Sequence, residues 1–285
     1  MMKNILVTGS NGQLGSELQF LSNNHKDLNF TFVDVDLLDI TDLNKVMQFF
    51  DQGQFDFCVN CAAYTAVDKA ESDQDLAYKV NVEGPKNLAK VCKDKGVILF
   101  HVSTDFVFGG DSSTAYREDM PTSPLGVYGD TKLKGEQAIQ EATERYYILR
   151  TAWLYSSFGN NFVKTMLRLG RERGELGVIV DQIGTPTYAR DLAESILSIL
   201  KDGEGSFGIY HFSNEGVASW YDFAKTIFLM KKVDVNVNPI PTSAYPTPAK
   251  RPSFSLLDKS KIKTTFNVTI PYWQDSLLNC LQLID

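Results

Sequence analysis

Two tyrosine–lysine pairs in this 285-residue chain have the spacing of an acid–base device: Tyr128 and Lys132 in "VYGDTK", and Tyr221 and Lys225 in "YDFAK". Residues four apart on a helix share a face. A phenol, with a free pKa near ~10, is a poor proton donor at neutral pH until a neighbouring positive charge tunes it. With 12 tyrosines and 20 lysines, about one such pair arises by accident, so the neighbours must decide.

Those neighbours favour Tyr128. It follows by 24 residues the Thr104 of "VILFHVSTD", an apolar run that reads as a strand ending in Ser103-Thr104-Asp105. In open α/β sheets, ligands bind outside the carboxyl ends of strands. Thr104 can donate a hydrogen bond to a substrate carbonyl, Tyr128 can protonate it, and Lys132 can lower the phenol's pKa and hold ribose hydroxyls. Tyr221 and Lys225 instead sit beside Phe223, Ala224, Ile227 and Phe228, a packing face with no such strand end before it.

A second constellation lies at the start of the chain. Gly9, Gly12 and Gly15 in "TGSNGQLG" stand between an apolar strand and a helical pattern. Glycines there permit a tight turn and close approach of a diphosphate, which the helix N-terminus attracts. Asp34 follows Gly15 by 19 residues, where an acid accepts hydrogen bonds from an adenosine ribose, with Asp36 and Asp39 as competitors. The stretch "VDVDLLDITD" has four aspartates and no basic residue, which leans towards NADH over NADPH.

The elements that must position these groups alternate. Strands are expected at 4–9, 30–36, 55–63, 97–105 and 146–155. Helices follow the first two, the second carrying Leu43, Val46, Met47 and Phe50 on one face. A long helical region at 66–94 is interrupted at Gly84-Pro85. Apolar strands separated by helices imply an α/β fold, a Rossmann-like doubly wound parallel sheet. Beyond residue 155 the pattern loosens and five prolines fall in a loop at 239–252, so a smaller α+β substrate-binding domain is expected. The division is 1–154 with 187–208 for the dinucleotide domain, and 155–186 with 209–285 for the substrate domain.

The remaining features are negative. The net charge of −7, with no basic stripe, gives no support for nucleic-acid binding. No apolar run reaches membrane-spanning length, and the N-terminus lacks a signal-peptide pattern, so a cytoplasmic protein is expected. Cys58 and Cys61 form a C-x-x-C inside a strand-like run and read as two buried small hydrophobes. His25, His101 and His211 read as packed or solvated, with no second catalytic group beside them.

The glycine loop, the Ser-Thr strand end and Tyr-x-x-x-Lys together resemble the extended short-chain dehydrogenase/reductase family. "CAAYTAVDKAESD", "VSTDFVF", "SPLGVYGDTKLKGE", "RTAWLY", "GNNFVKTMLRL", "DQIGTPT" and "PTSAYPTPAKRPSFS" are similar to its dTDP-4-dehydrorhamnose reductase branch across nearly the whole chain. The resemblance implies reduction of the C4 ketone of dTDP-4-dehydro-L-rhamnose by NADPH or NADH. It implies that Gly12, Gln13 and Leu14 touch the cofactor's phosphates, and that Asp34, Asp39 and Ile40 frame its adenosine. Ala63, Tyr64, Thr65 and Val102 would line it further in. Thr104 and Asp105 would contact the sugar, and Trp153 would pack nearby. Arg251 suits a diphosphate, because arginine binds phosphate bidentately. The resemblance leaves room for a homodimer. Magnesium-assisted dimerisation fits poorly: Glu17 could match one of the glutamates of magnesium-dependent relatives, but Arg190 stands where another would be. A nucleotide-sugar epimerase or dehydratase, or a non-catalytic regulatory subunit, would keep the same fold.

Overall fold

The computed structural model describes residues 2–202 and 205–284. Positions 1, 203, 204 and 285, which the sequence-based domain ranges include, lie outside the described residues. The first half builds β1 (Lys3–Thr8), α1 (Gln13–Ser22), β2 (Leu28–Val33), α2 (Leu43–Gln52), β3 (Phe57–Asn60), α3 (Val67–Ala70), α4 (Gln74–Tyr78), α5 (Gly84–Lys95), β4 (Ile98–Thr104), α6 (Val127–Ala142) and β5 (Tyr146–Thr151). The second half adds β6 (Leu154–Tyr155), α7 (Phe162–Glu172), β7 (Glu175–Ile179), β8 (Ile183–Gly184), β9 (Thr187–Tyr188), α8 (Ala189–Asp202), β10 (Gly208–His211), β11 (Ala218–Ser219), α9 (Trp220–Lys231), β12 (Asn236–Ile240), α10 (Ser260–Phe266) and α11 (Trp273–Leu281).

Six strands form one parallel sheet in the order β10-β5-β4-β3-β1-β2. The chain leaves β1 in one direction for β2 and in the other for β3, so strand order reverses at β1/β3, the usual ligand crevice of this architecture. One sheet face is covered by Leu14 and Leu18 of α1 and Leu192 and Ile196 of α8. The other is covered by Val46 and Phe50 of α2, Leu88 and Cys92 of α5, and Ile139 of α6. A second lobe packs α7, α9 and α11 around Tyr155, Tyr188, Phe223 and Trp273.

Several expected boundaries move. The second strand runs 28–33, so Asp34 lies just beyond its end. Asp42 caps α2, accepting from the Asn44 and Lys45 amides, and Met47 faces solvent rather than the core. The 66–94 region breaks earlier than expected, at 71–73, and then runs without a gap through α4, a π turn at Lys79–Glu83 and α5, so Gly84-Pro85 marks the change from π turn to α-helix rather than a break. The 146–155 strand splits because Trp153 takes φ 48. Pro239 and Ile240 end β12 rather than belonging to a loop. The domain limit at 208/209 cuts through β10, which pairs with β5 in the main sheet, while Ile262 of α10 packs into the same core. Cys58 is fully buried among the α2/α5 layer, whereas Cys61 faces the opposite layer, is only partly buried and borders the crevice.

Candidate active site

The crevice at the β1/β3 switch point begins with backbone that only glycine allows. Gly9 sits at φ +64, and a Cβ there would lie 2.5 Å from the Ala62 nitrogen; one on Gly15 would lie 2.5 Å from the Gly9 carbonyl. Gly12 precedes α1 with no side-chain cap, leaving the helix's first N–H groups to an incoming anion. A cleft of about 640 Å³ runs from there past Val102, Thr104 and Tyr128 to Trp153 and Arg251. An adjoining hollow of about 360 Å³ is lined by Asp34, Asp39, Ile40 and Tyr64. Every site residue expected from the sequence borders one of these two spaces, and Gly9, Gly12 and Ala63 border both. A glycine cradle, a free helix N-terminus and an acid at the end of β2 fit a dinucleotide.

In the smaller hollow, the Asp34 carboxylate accepts from the Asn11 amide at 2.9 Å and the Val35 amide at 2.8 Å. Asp39 is committed to Thr41, accepting from its hydroxyl at 2.8 Å and its amide at 3.0 Å, and these bonds hold its pKa below the usual carboxylate value. Asn81, on the π turn, clamps the Ala63–Thr65 segment by accepting from the Tyr64 amide and donating to its carbonyl. The sequence reading missed Asn81, whose turn is not legible as helix or loop.

At the opposite end, α6 crosses the end of β4 closely. A Cβ on Gly129 would collide with the Phe106 carbonyl, so glycine lets Tyr128 approach Thr104. The Val127 amide is capped from a distance by Glu71, at 2.9 Å. Thr104 donates to Asp105 Oδ1 at 3.0 Å and accepts from the Phe106 amide at 3.2 Å. Lys132 is 2% exposed. Its Nζ donates to the Val102 carbonyl at 2.6 Å and lies 3.2 Å from His101 Nε2. His101 is therefore not the isolated packed histidine that the sequence suggested.

The electrostatics also correct an expectation. Desolvation pushes the Tyr128 phenol up to about 12; the Asp105 carboxylate adds to the rise and the Thr104 hydroxyl opposes it. Lys132 does not lower it here. Burial instead pushes Lys132 down to about 8, against the pull of Glu136. Burial also raises Asp105 to about 6, with Ser255 and Thr104 hydroxyls opposing, and its Oδ2 has no hydrogen-bond partner. A carboxyl whose folded pKa is raised costs stability as pH climbs from its unfolded value near ~4 through about 6. Asp105→Asn is thus expected to stabilise the protein at pH 7.5 by up to about 3 kcal/mol and to leave it unchanged at pH 4, as denaturant midpoints at the two pH values would reveal.

The second lobe supplies the far wall. Trp153 stacks on Trp220 with ring centroids 3.7 Å apart and planes 10° apart. Its left-handed backbone costs on the order of 1–3 kcal/mol, a strain that the surrounding packing must hold. Trp220 immediately precedes the "YDFAK" stretch; Phe223 and Ile227 there are core, as expected, but the tryptophan beside them lines the cleft. Asn161 caps α7 and donates to Gln13 at 3.0 Å, tying this lobe to the glycine loop. Arg251 borders the cleft, yet its guanidinium is held in a fork by Asp68, at 3.0 and 2.8 Å. It is neither a free surface charge nor an unengaged cation.

Comparison with known proteins places this geometry. The family model described as RmlD substrate binding domain matches residues 2–285. A dTDP-4-dehydrorhamnose reductase of Aggregatibacter actinomycetemcomitans is 43% identical, with 98% of each chain covered. The chain belongs to the dTDP-4-dehydrorhamnose reductase family. A crystal structure of a Clostridium acetobutylicum member superposes with a TM-score of 0.95 at 43% identity, covering 98% of this chain and 99% of that one. A Bacillus anthracis member in complex with NADP gives 0.95 at 40%, with 99% of each chain covered. A Thermus thermophilus UDP-glucose 4-epimerase, 19% identical with a TM-score of 0.81, covers 98% of both chains and shares the fold.

Within this family-wide frame, the reductase site has no place for magnesium at Glu17. That carboxylate is fully buried, accepts from Ser156 at 2.6 Å and pairs with Arg190 at 2.8 Å, so a guanidinium already provides the positive charge. Among the described residues no group of three or more His, Cys, Asp or Glu could hold a metal ion. No helix among them is long and apolar enough to cross a membrane.

Proposed function

We propose that this chain reduces the C4 ketone of dTDP-4-dehydro-L-rhamnose to dTDP-L-rhamnose, with NADH or NADPH as reductant. The observation that carries the reading is the convergence, in one continuous cleft, of a dinucleotide cradle with Thr104, Tyr128 and Lys132. The bound dinucleotide supplies the hydride. The Thr104 hydroxyl, whose one proton goes to Asp105 Oδ1 in the free protein, turns from that carboxylate to the substrate oxygen and polarises the carbonyl. Tyr128, fully protonated at neutral pH because its pKa is high, gives its proton to that oxygen as the alcohol forms. Lys132 holds the cofactor ribose, Trp153 with Trp220 bounds the sugar, and Arg251, braced by Asp68, faces the diphosphate. The four free cysteines suit a reducing, cytoplasmic setting. The homodimer belongs to this reading through the family alone, and light scattering on the purified chain would decide it.

Cofactor choice follows from the adenosine hollow, whose lining contains no Lys or Arg. A 2′-phosphate would meet the Asp34 carboxylate, so NADH is the preferred reductant. A coupled assay, in which a 3,5-epimerase delivers the 4-keto sugar nucleotide, should give a higher kcat/KM with NADH than with NADPH. Asp34→Ala should shift that ratio towards NADPH by about tenfold, the effect of removing ~1.4 kcal/mol of repulsion. An unchanged ratio would remove Asp34 from this role.

A further inference from the structure

Beneath the cleft floor, four buried polar side chains form a line: Thr8, Asn60, His101 and Lys132, each at most 2% exposed. The order of donors and acceptors along it is fixed from one end. The Ala62 backbone N–H lies 3.1 Å from Asn60 Oδ1 and can only donate, so the oxygen of the Asn60 amide must face it. The Thr8 hydroxyl donates to the same oxygen at 2.7 Å. Asn60 Nδ2 therefore points at His101 Nδ1, 3.0 Å away, and donates to it. A neutral imidazole whose Nδ1 accepts carries its one proton on Nε2. An imidazolium would set N–H against N–H at Asn60, and burial beside Lys132 holds the ring's pKa well below its ordinary value. The Nε2–H of His101 thus faces Lys132 Nζ at 3.2 Å, while Nζ donates to the Val102 carbonyl at 2.6 Å. Only a neutral amine has the lone pair that this arrangement requires.

The charges around Nζ agree. Glu136, one turn further along α6, is already neutralised by Arg150, which donates to both of its oxygens at 2.7–3.2 Å. The Cys61 thiol, after β3, is pushed up by burial and stays protonated. Tyr128, on α6, is neutral, and Asp105, beyond β4, bonds to Thr104. Of the carboxylates among these groups only Glu136 pulls on Lys132, and it is already committed to Arg150, so a buried ammonium there would be costly.

We propose that His101 is a positioning residue, locked by Asn60 as its Nε2–H tautomer, that holds Lys132 as a neutral amine at alkaline pH before cofactor binds. When Lys132 turns from His101 to the ribose hydroxyls, the Nζ lone pair takes one proton from solvent, so cofactor binding is coupled to proton uptake. This rests on the assignment of Lys132 to the cofactor ribose made above. With Lys132 near 8 in the free protein, the coupling is read above that pH.

Two measurements test it. In ¹⁵N-labelled, cofactor-free protein, long-range ¹H–¹⁵N imidazole spectra, with His101 assigned by its loss in His101→Gln, should show a protonated Nε2 and a bare Nδ1, unchanged from pH 6 to pH 9. A protonated Nδ1, or a ring that titrates in this range, overturns the proposal. Calorimetric titration of NADH at pH 9, in buffers of different ionisation enthalpy, should then give uptake of about one proton by the wild type and about none by Lys132→Met. Equal uptake in the two, or none in the wild type, overturns the coupling. Failure of the wild type to bind NADH would sink the reading of the cleft as an NADH site and the coupling with it, while the imidazole spectrum still decides the tautomer.

Discussion

Replacing Tyr128 by Phe is expected to lower kcat by about 10²–10⁴-fold, the range that one positioned acid contributes, equivalent to roughly 3–5 kcal/mol of transition-state stabilisation. The substitution removes one hydroxyl and keeps the ring's edge-on contact with Phe106, whose centroid is 5.5 Å away. Folding and cofactor affinity should therefore stay near wild type, which fluorescence titration with NADH checks independently of turnover. Because the phenol's pKa is high in this site, the variant should also lose rate uniformly between pH 6 and 8 rather than shift a pH optimum. Wild-type turnover in Tyr128→Phe would remove the residue from the reaction.

A second large effect is expected at the buried ion pair that joins α6 to the sheet. Arg150 on β5 and Glu136 on α6 are 3% and 1% exposed and joined through a two-point contact. Ser103, the residue before Thr104, donates to the same carboxylate at 2.5 Å. One carboxylate thus ties the end of β4 to the helix that carries Tyr128 and Lys132. Arg150→Met leaves it buried and unpaired, at an expected cost of about 3–5 kcal/mol. Adding Glu136→Leu should recover most of that loss, since an apolar pair of similar volume is often neutral or stabilising. Urea denaturation of the two variants and the double variant measures both statements. The double variant should regain stability without regaining full kcat, because Ser103 loses its anchor.

The fold was legible in the sequence to the extent that it rests on period and punctuation. The apolar runs at 4–9 and 97–105 and the glycine loop after the first strand needed only local physics. That Thr104, Tyr128 and Lys132 would meet in one cleft was legible because they sit at strand-end and helix positions with known directions. What failed depended on distant neighbours. β10 falls where the pattern has loosened, and only its pairing with β5 brings it into the main sheet. The break at Trp153 accompanies stacking on Trp220, 67 residues further along, which no local pattern reports. Arg251 was read as a cation for a diphosphate, but its partner Asp68, 183 residues earlier, was not legible. The expected lowering of the Tyr128 pKa by Lys132 failed for a similar reason: the four-residue spacing is right, yet His101 and the Val102 carbonyl claim the amine.

The most direct test of the central claim follows one hydrogen. With 4-deuterated NADH and dTDP-4-dehydro-L-rhamnose, the account predicts one NADH oxidised per dTDP-L-rhamnose formed, with deuterium at C4 of the product. Turnover of the sugar nucleotide with no net oxidation of NADH and no deuterium at C4 would contradict it, and would point to an epimerase or dehydratase that regenerates its cofactor.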